Sequence, residues 1–374
     1  MSYYEMIRDD TVNHYVLFTE DEIAGLKKRI GVEKIKSFQN DMEDLFNAPL
    51  ESVVTKKRCA PGGNVHDYVS LGTYWWPDKN NKDGPYIRRD GYINPEGVFY
   101  DKDKLKRLAY LVYHGSLLYF LSGENRYLDL VKRHLCNWFI NEETRMNPHL
   151  EYGQFIPGLA NGRSEGIIDY GASFTYALNM IHLLHRVGAL EADLLEGLLS
   201  WHRSFRTWLL ESEIGKKEGS AKNNHGTFYD VALCSIEQFL GMSEQIKARK
   251  DFFITERIEK QIAADFSLPL ELARTRTITY SFMGLKGLLE EAKFLSCQGI
   301  DVFPRLKGAV NWLYENAIVH RETWPGSQLT RVDDGIYLVF RELVCGIYGS
   351  DYADIGDYVD PGKIYNRVLA YLFL

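Results

Sequence analysis

Cysteine is scarce in this 374-residue sequence, and what there is forms no pattern. Cys59, Cys136, Cys234, Cys297 and Cys345 stand far apart and are odd in number. Without a Cys-x-x-Cys or a Cys/His spacing, a thiolate zinc site is excluded and a disulfide scaffold is not expected. Cys136, Cys234 and Cys345 lie in apolar runs and are expected to be buried free thiols, which suits a reducing compartment or a protein that does not rely on disulfides. Positive charge is also short. The 44 Lys and Arg face 51 Asp and Glu, a net charge of −7, which argues against nucleic-acid binding through a basic face. It leaves open an anionic partner met by a few local arginines. No run approaches the ~18 apolar residues of a membrane span, so no membrane association is expected. Residues 1–18, MSYYEMIRDDTVNHYVLF, lack the basic and apolar regions of a signal peptide. The sequence as it stands therefore points to the cytoplasm, or to the periplasm or medium if an export signal has been trimmed. Asp333-Asp334 before a glycine is too short for a calcium loop, and no metal or cofactor is expected.

Apolar residues, in contrast, are plentiful. At 45% of the chain they are enough for a large core and exclude general disorder. Aromatic residues reach 13%, with 24 Tyr and 7 Trp. They suit either a packed helical core or a groove whose ring faces stack on sugars. From about residue 102 the apolar residues recur every three to four positions, first in 104–121 and 126–140. The Ser-Gly-Glu-Asn turn at 122–125 makes these two an α-hairpin. The rhythm returns in 168–188, 193–211, 226–242, 253–264, 280–298, 302–317, 334–349 and 362–373. No convincing run of alternating strands lies between them. Consecutive helices with short connections predict an all-α fold, an α/α toroid built as an incomplete barrel of antiparallel hairpins, in one domain over 1–374.

Two stretches break the rhythm, 50–101 and 144–170. Pro77, Pro85, Pro95, Pro148 and Pro157 exclude a regular helix there. Long loops in a compact domain are usually functional, and these are rich in Trp, Tyr, Arg, His and Asn. The alternative is a structural loop that plugs one end of the toroid.

Two constellations carry candidate chemistry. Asn223-Asn224-His225-Gly226 directly precedes an apolar helix. An asparagine there either caps the helix or, with the histidine and the positive helix end, holds an anion. The second is the segment Glu271 to Tyr280, with Arg274 six residues before Tyr280. Tyrosine is an unusual base, since its ordinary pKa is ~10, but a nearby guanidinium favours the phenolate. The alternative is an Arg274–Glu271 salt bridge and a tyrosine packed at a helix start.

In order along the chain, these two segments resemble the alginate lyase superfamily of helical-toroid polysaccharide lyases. His66-Asp67-Tyr68, Tyr74-Trp75-Trp76-Pro77, Pro85 to Gly91 and Asn94-Pro95-Glu96 follow the same pattern upstream. So do Asn147-Pro148, Tyr152-Gly153-Gln154, Gly162-Arg163 and Gly166 to Asp169. The resemblance covers roughly residues 55–300.

It implies β-elimination on a 1,4-linked uronate polymer or oligosaccharide of polymannuronate or glucuronan type. In that reaction Asn224, His225 and Arg274 neutralise the carboxylate, as preorganised donors stabilise an oxyanion. Tyr280 takes the C5 proton and protonates the departing O4 when both lie on one face. His225 is the alternative base when they do not, as in guluronate. Substrate-binding roles fall to His66, Tyr74, Trp75, Trp76, Gln154, Asn161, Arg163 and Asn223. Trp75 and Trp76 suit equally a role as wedges that fix the loop. Two rivals remain. A glycoside hydrolase on the same scaffold would need two carboxylates ~5–10 Å apart, for which Glu165, Asp169 and Glu271 are the loop candidates. A noncatalytic carbohydrate binder would need only the aromatic loop.

Overall fold

Thr19 opens the first helix, Glu20–Arg29. Its side chain accepts from the Glu22 backbone N–H while the Glu22 carboxylate accepts from Thr19 N, a capping box that satisfies two helix-end donors. Three acids in the first turn and three bases in the last complement the helix dipole. This helix and the next, Val32–Asp41, precede the point at which the sequence rhythm becomes plainly helical. The computed structural model describes residues 11–81 and 83–364. They divide into two compact units, one spanning Phe18–Ser220 and the other Ala221 onward together with the segment that ends at Leu17.

In the first unit, Lys102–Ser122 is the central helix and is buried along most of its length. Gly123, at φ 77°, ends it in the left-handed conformation, which glycine reaches without a Cβ clash. The chain reverses into Asn125–Leu135 and finishes in a π turn, Cys136–Ile140, so the expected hairpin forms. The central helix packs against both Asn125–Leu135 and Phe174–Arg186. Asn179 grips the extended chain at Phe18, accepting from its N–H at 2.9 Å and donating to its carbonyl at 3.0 Å. Both backbone polar groups of the buried Phe18 are thereby satisfied. Ala192–Glu211 and Glu213–Gly219 follow, joined at Ser212, which caps the second helix. The expected helix at 168–188 is instead two pieces, Ile168–Gly171 and Phe174–Arg186, broken at Ala172-Ser173. Cys136 is exposed rather than buried, whereas Cys234 is buried and Cys345 half-buried. At Cys136 the helix presents its outer face, so an apolar run in sequence is not an apolar face in space.

The two irregular stretches of this unit do hold short strands. Val69–Leu71 pairs in parallel with Tyr152–Phe155, and Trp75–Trp76 pairs antiparallel with Ile87–Arg88. They enclose a small core of Ala60, Val69, Leu71, Tyr100 and Phe155. Asp101 ties this loop layer to the central helix. Its carboxylate accepts from Val69 N at 3.0 Å and pairs with Lys56 at 3.4 Å and Lys104 at 3.2 Å.

In the second unit, Asn224–Phe239 packs along Thr277–Ser296. Gly287 permits the approach, since a Cβ there would stand 2.9 Å from Thr227 Cγ2. A buried charge network joins the first of these helices to the segment 249–258, where Arg257 meets Asp230 at 2.6 Å and Arg249 meets Glu237 at 3.1 Å. Asn13 donates to Thr279 O and His14 lies 3.6 Å from Asp333, which fastens the N-terminal segment. The expected helices at 253–264 and 302–317 are interrupted by the π turns Phe253–Ile258 and Tyr314–Val319. Gly335–Tyr348 matches its expected span closely. The last expected helix, 362–373, lies almost wholly outside the described residues; only the turn Pro361–Lys363 is described.

Candidate active site

The helix Asn224–Phe239 starts where Asn223 turns its side-chain oxygen onto the His225 N–H, at 3.3 Å. Asn223 is therefore a cap. The same turn is closed from behind at Gly226. A Cβ there would collide with Ala221 O at 2.1 Å and crowd the Arg257 guanidinium at 2.9 Å. Glycine is thus required one residue after the histidine for a packing reason.

Asn224 is buried beneath this turn and is held by Glu271. One carboxylate oxygen accepts from Asn224 N at 3.1 Å and the other from Asn224 Nδ2 at 2.7 Å. Glu271 sits on the single turn Pro269–Leu272, and burial pushes its carboxyl up, against the hydrogen bonds from Asn224 and the charges of Arg274 and His225. Three residues on, Arg274 Nη2 donates to Tyr280 Oη at 3.0 Å. Tyr280 rides on the first turn of Thr277–Ser296 and is half-buried. One short segment, 271–280, thus presents an acid to Asn224 and an arginine to the tyrosine phenol.

A second strip of chain clasps that segment. Thr277 N donates to Ser327 O, Leu329 N to Thr275 O, and Gln328 Oε1 accepts from Ile278 N at 3.0 Å. Gln328 Nε2 donates in turn to Thr330 O at 2.9 Å, and Arg276 Nε reaches Thr330 Oγ1. Gln328 does for the Thr277 helix what a cap would do, from fifty residues away.

The first unit holds its own group. Gln154 has φ 48°, a left-handed conformation that a non-glycine side chain adopts at a cost and that often marks functional positions. Ser70 Oγ accepts from Gln154 N at 2.7 Å. Arg163 Nε donates to Gln154 O at 3.1 Å and Nη2 to Gln154 Oε1 at 2.9 Å. Gly153 and Gly166 lie so close that a Cβ on Gly166 would fall 2.5 Å from Gly153 Cα. Arg163 also pairs with Glu165 at 3.0 Å and lies 5.7 Å from the Trp75 ring centre. Asp169 anchors the base, accepting from Ser70 and Tyr68 and meeting Lys102 at 3.1 Å.

The remaining loop candidates make contacts of their own. Trp76 Nε1 donates to Tyr92 O, and Arg89 lies 5.1 Å from the Trp76 ring. Tyr74 is half-buried and its carbonyl accepts from Arg89 N. His66 Nδ1 meets Arg145 O at 2.8 Å, and Asn161 is exposed. Nearby, His149 faces Asp67 at 3.2 Å.

Sequence reading missed the Glu271–Asn224 pair, for which a salt bridge to Arg274 was the competing expectation. It also missed the 327–330 clasp, since nothing in residues 327–330 signals a partner so far upstream.

The family profile described as alginate lyase matches residues 52–324. A crystal structure of an alginate lyase from Bacteroides ovatus is similar at 30% identity and a TM-score of 0.86, covering 95% of this chain and 98% of that one. Alginate lyase A1-III from Sphingomonas species A1 is similar at 12% identity and a TM-score of 0.53, covering 92% and 91%. A variant of A1-III complexed with tetrasaccharide gives 13% and 0.54, covering 98% and 96%. These last two share the fold. No curated protein matches the chain. The fold class is the all-α, α/α-toroid class expected from the hairpin rhythm. With most of its length matched by the family profile, the chain belongs to the alginate lyase family and is a polysaccharide lyase.

Proposed function

We propose that the protein cleaves a 1,4-linked uronate polymer or oligosaccharide, of polymannuronate or glucuronan type, by β-elimination and leaves a 4,5-unsaturated uronate end. The observation that carries the reading is the 3.0 Å hydrogen bond from Arg274 to the Tyr280 phenol, within the segment whose Glu271 holds Asn224.

The C5 proton of a uronate is weakly acidic, and its removal places charge on the neighbouring carboxylate. Asn224, His225 and Arg274 supply donors for that charge. Tyr280 supplies an oxygen that takes the proton and then delivers one to O4, with Arg274 beside it to stabilise negative charge on that oxygen. A single residue serves both steps only when the proton and the leaving oxygen share a face, which favours mannuronate or glucuronate over guluronate. The solved structure at 30% identity supports the substrate class, since it is an alginate lyase. Gln154, Arg163 and Trp75 are proposed to bind further sugars, with His66, Tyr74, Trp76, Asn161 and Asn223 in supporting places.

The test is the ultraviolet absorbance of the new C4–C5 double bond on polymannuronate, polyguluronate, glucuronan and hyaluronan. A rise on polymannuronate or glucuronan that Tyr280→Phe abolishes is expected. A preference for polyguluronate would move the base to His225, and new reducing ends without absorbance would overturn β-elimination.

A further inference from the structure

We propose that Glu271 is a positioning residue that acts through its own proton: uronate binding leaves it protonated, and it then holds Asn224 by the amide oxygen so that the amide nitrogen is presented to the substrate carboxylate. The proposal rests on the reading of Asn224, His225 and Arg274 as the carboxylate-holding group.

Glu271 is 2% exposed and Asn224 1%. Each oxygen of Glu271 accepts one N–H of Asn224, from the backbone and from the side chain. The Asn224 amide oxygen is buried and has no hydrogen-bond partner among the described residues. An amide carries two donors at one end and an acceptor at the other, whereas an ionised carboxylate only accepts. Ionised Glu271 therefore takes the donor end of Asn224 and leaves an acceptor at the other end, the wrong group for an anion. A proton on the Glu271 oxygen facing the amide reverses this. The carboxyl O–H donates to Asn224 Oδ1, the amide makes a half-turn, and its far end becomes a donor. The proton comes from solvent, and no other bond changes.

The charges around Glu271 give the coupling its sign. From the helix that starts at Asn224 it faces His225, and from its own segment Arg274, both of which favour its ionised form. The third element, the Thr277 helix, meets it at Gly284, where a Cβ would lie 3.1 Å from Glu271 Cγ. Tyr280 of that helix is reached through Arg274. Burial opposes ionisation. A substrate carboxylate at His225 and Arg274 cancels the attraction that keeps Glu271 charged, so binding draws a proton in.

The decisive experiment is calorimetric titration of the full-length Tyr280→Phe protein with mannuronate and glucuronate tetramers, in two buffers of different ionisation enthalpy. Expected is an uptake approaching about one proton per site, absent once Glu271→Gln is added. Glutamine reproduces the protonated carboxyl: its oxygen accepts from Asn224 N while its amide donates to Oδ1. On the otherwise wild-type protein, Glu271→Gln keeps kcat within severalfold and flattens its pH profile, whereas Glu271→Ala lowers kcat by about 10²-fold, the scale of a lost oxyanion donor. Uptake unchanged by Glu271→Gln, no uptake, or a glutamine variant as impaired as the alanine one would each overturn the proposal. Absence of C4–C5 unsaturation by wild type on every polyuronate would instead remove the lyase reading beneath it.

Discussion

Arg274 touches Tyr280 twice: its Nη2 donates to the phenol oxygen at 3.0 Å, and its guanidinium carbon stands 3.9 Å from the centre of the same ring. A planar fork can stack and donate at once, and an ammonium cannot. The contact therefore specifies arginine and not merely positive charge. Arg274→Lys is expected to keep the fold and lower kcat by about 10²-fold, read from the C4–C5 absorbance on the preferred polymer. A lysine variant at full rate would show that charge alone suffices.

Gln328 is expected to matter to the site although it touches none of its proposed reacting groups. Its side chain bonds Ile278 N, Thr330 O and Thr279 Oγ1 and so seats the helix that carries Tyr280. Gln328→Ala leaves the Ile278 N–H without its acceptor, at a cost of about 1–3 kcal/mol. Urea denaturation should register that loss, with a fall in kcat larger than any change in KM. A variant as stable and active as wild type would reduce the clasp to an incidental contact.

Gly166→Ala should displace Gln154. The added Cβ would stand 2.5 Å from Gly153 Cα and C, and backbone on both sides leaves little to yield. A destabilisation of about 1–3 kcal/mol is expected, as for overpacked cores. Gly97→Ala, where a Cβ meets nothing within 4 Å, is the control and should melt like wild type. Equal melting of the two variants would contradict the close approach.

Buried histidines give the protein an acid limit. Burial lowers His202 from the ordinary 6.5 to about 4 and His114 to about 3. Both rings stay neutral in the folded protein while the unfolded chain takes up protons below pH 6.5. Their stabilising contribution is present above that pH and is lost as pH falls toward the folded values. Thermal melting should weaken steadily from pH 6.5 to 4. His202→Phe, which fills the place among Phe139, Phe174 and Trp201, should show a shallower decline. A parallel decline would place the lost protons elsewhere.

Glu291 works in the opposite direction. Neither oxygen of this buried carboxyl has a hydrogen-bond partner among the described residues. Burial and the nearby Asp230 raise it well above the usual carboxylate range, against Arg257 and Arg249. Above that range the unfolded chain releases the proton and the folded chain keeps it, so this group costs stability as pH rises. Glu291→Gln is expected to be at least as stable as wild type at pH 8 and to gain least at pH 4, by urea denaturation. Destabilisation at pH 8 would mean that the charged form is needed.

The helical class, the 104–140 hairpin, the two irregular stretches and the residue types of the Asn-His turn and the Arg–Tyr segment were legible in the chain, whereas only the family resemblance brought those two segments together. Each rests on local signals: apolar spacing, a Gly turn, prolines, and residue types at fixed offsets. The breaks at Ala172-Ser173 and in the π turns were not, because packing there overrides a periodicity that continues through them. Nor was the exposure of Cys136, which depends on the side of its helix left uncovered.

What the sequence by itself determined is which chemical groups are present and on which kind of element each one sits. Tertiary structure alone decided what those groups touch. Glu271 and Asn224 are separated by 47 residues and Gln328 and Ile278 by 50, and no local rule spans such intervals. Burial then did the rest: the same glutamate that would be an ordinary surface acid in an exposed turn becomes, beneath the Asn224 helix, a carboxyl pushed up by burial against the pull of Asn224, Arg274 and His225.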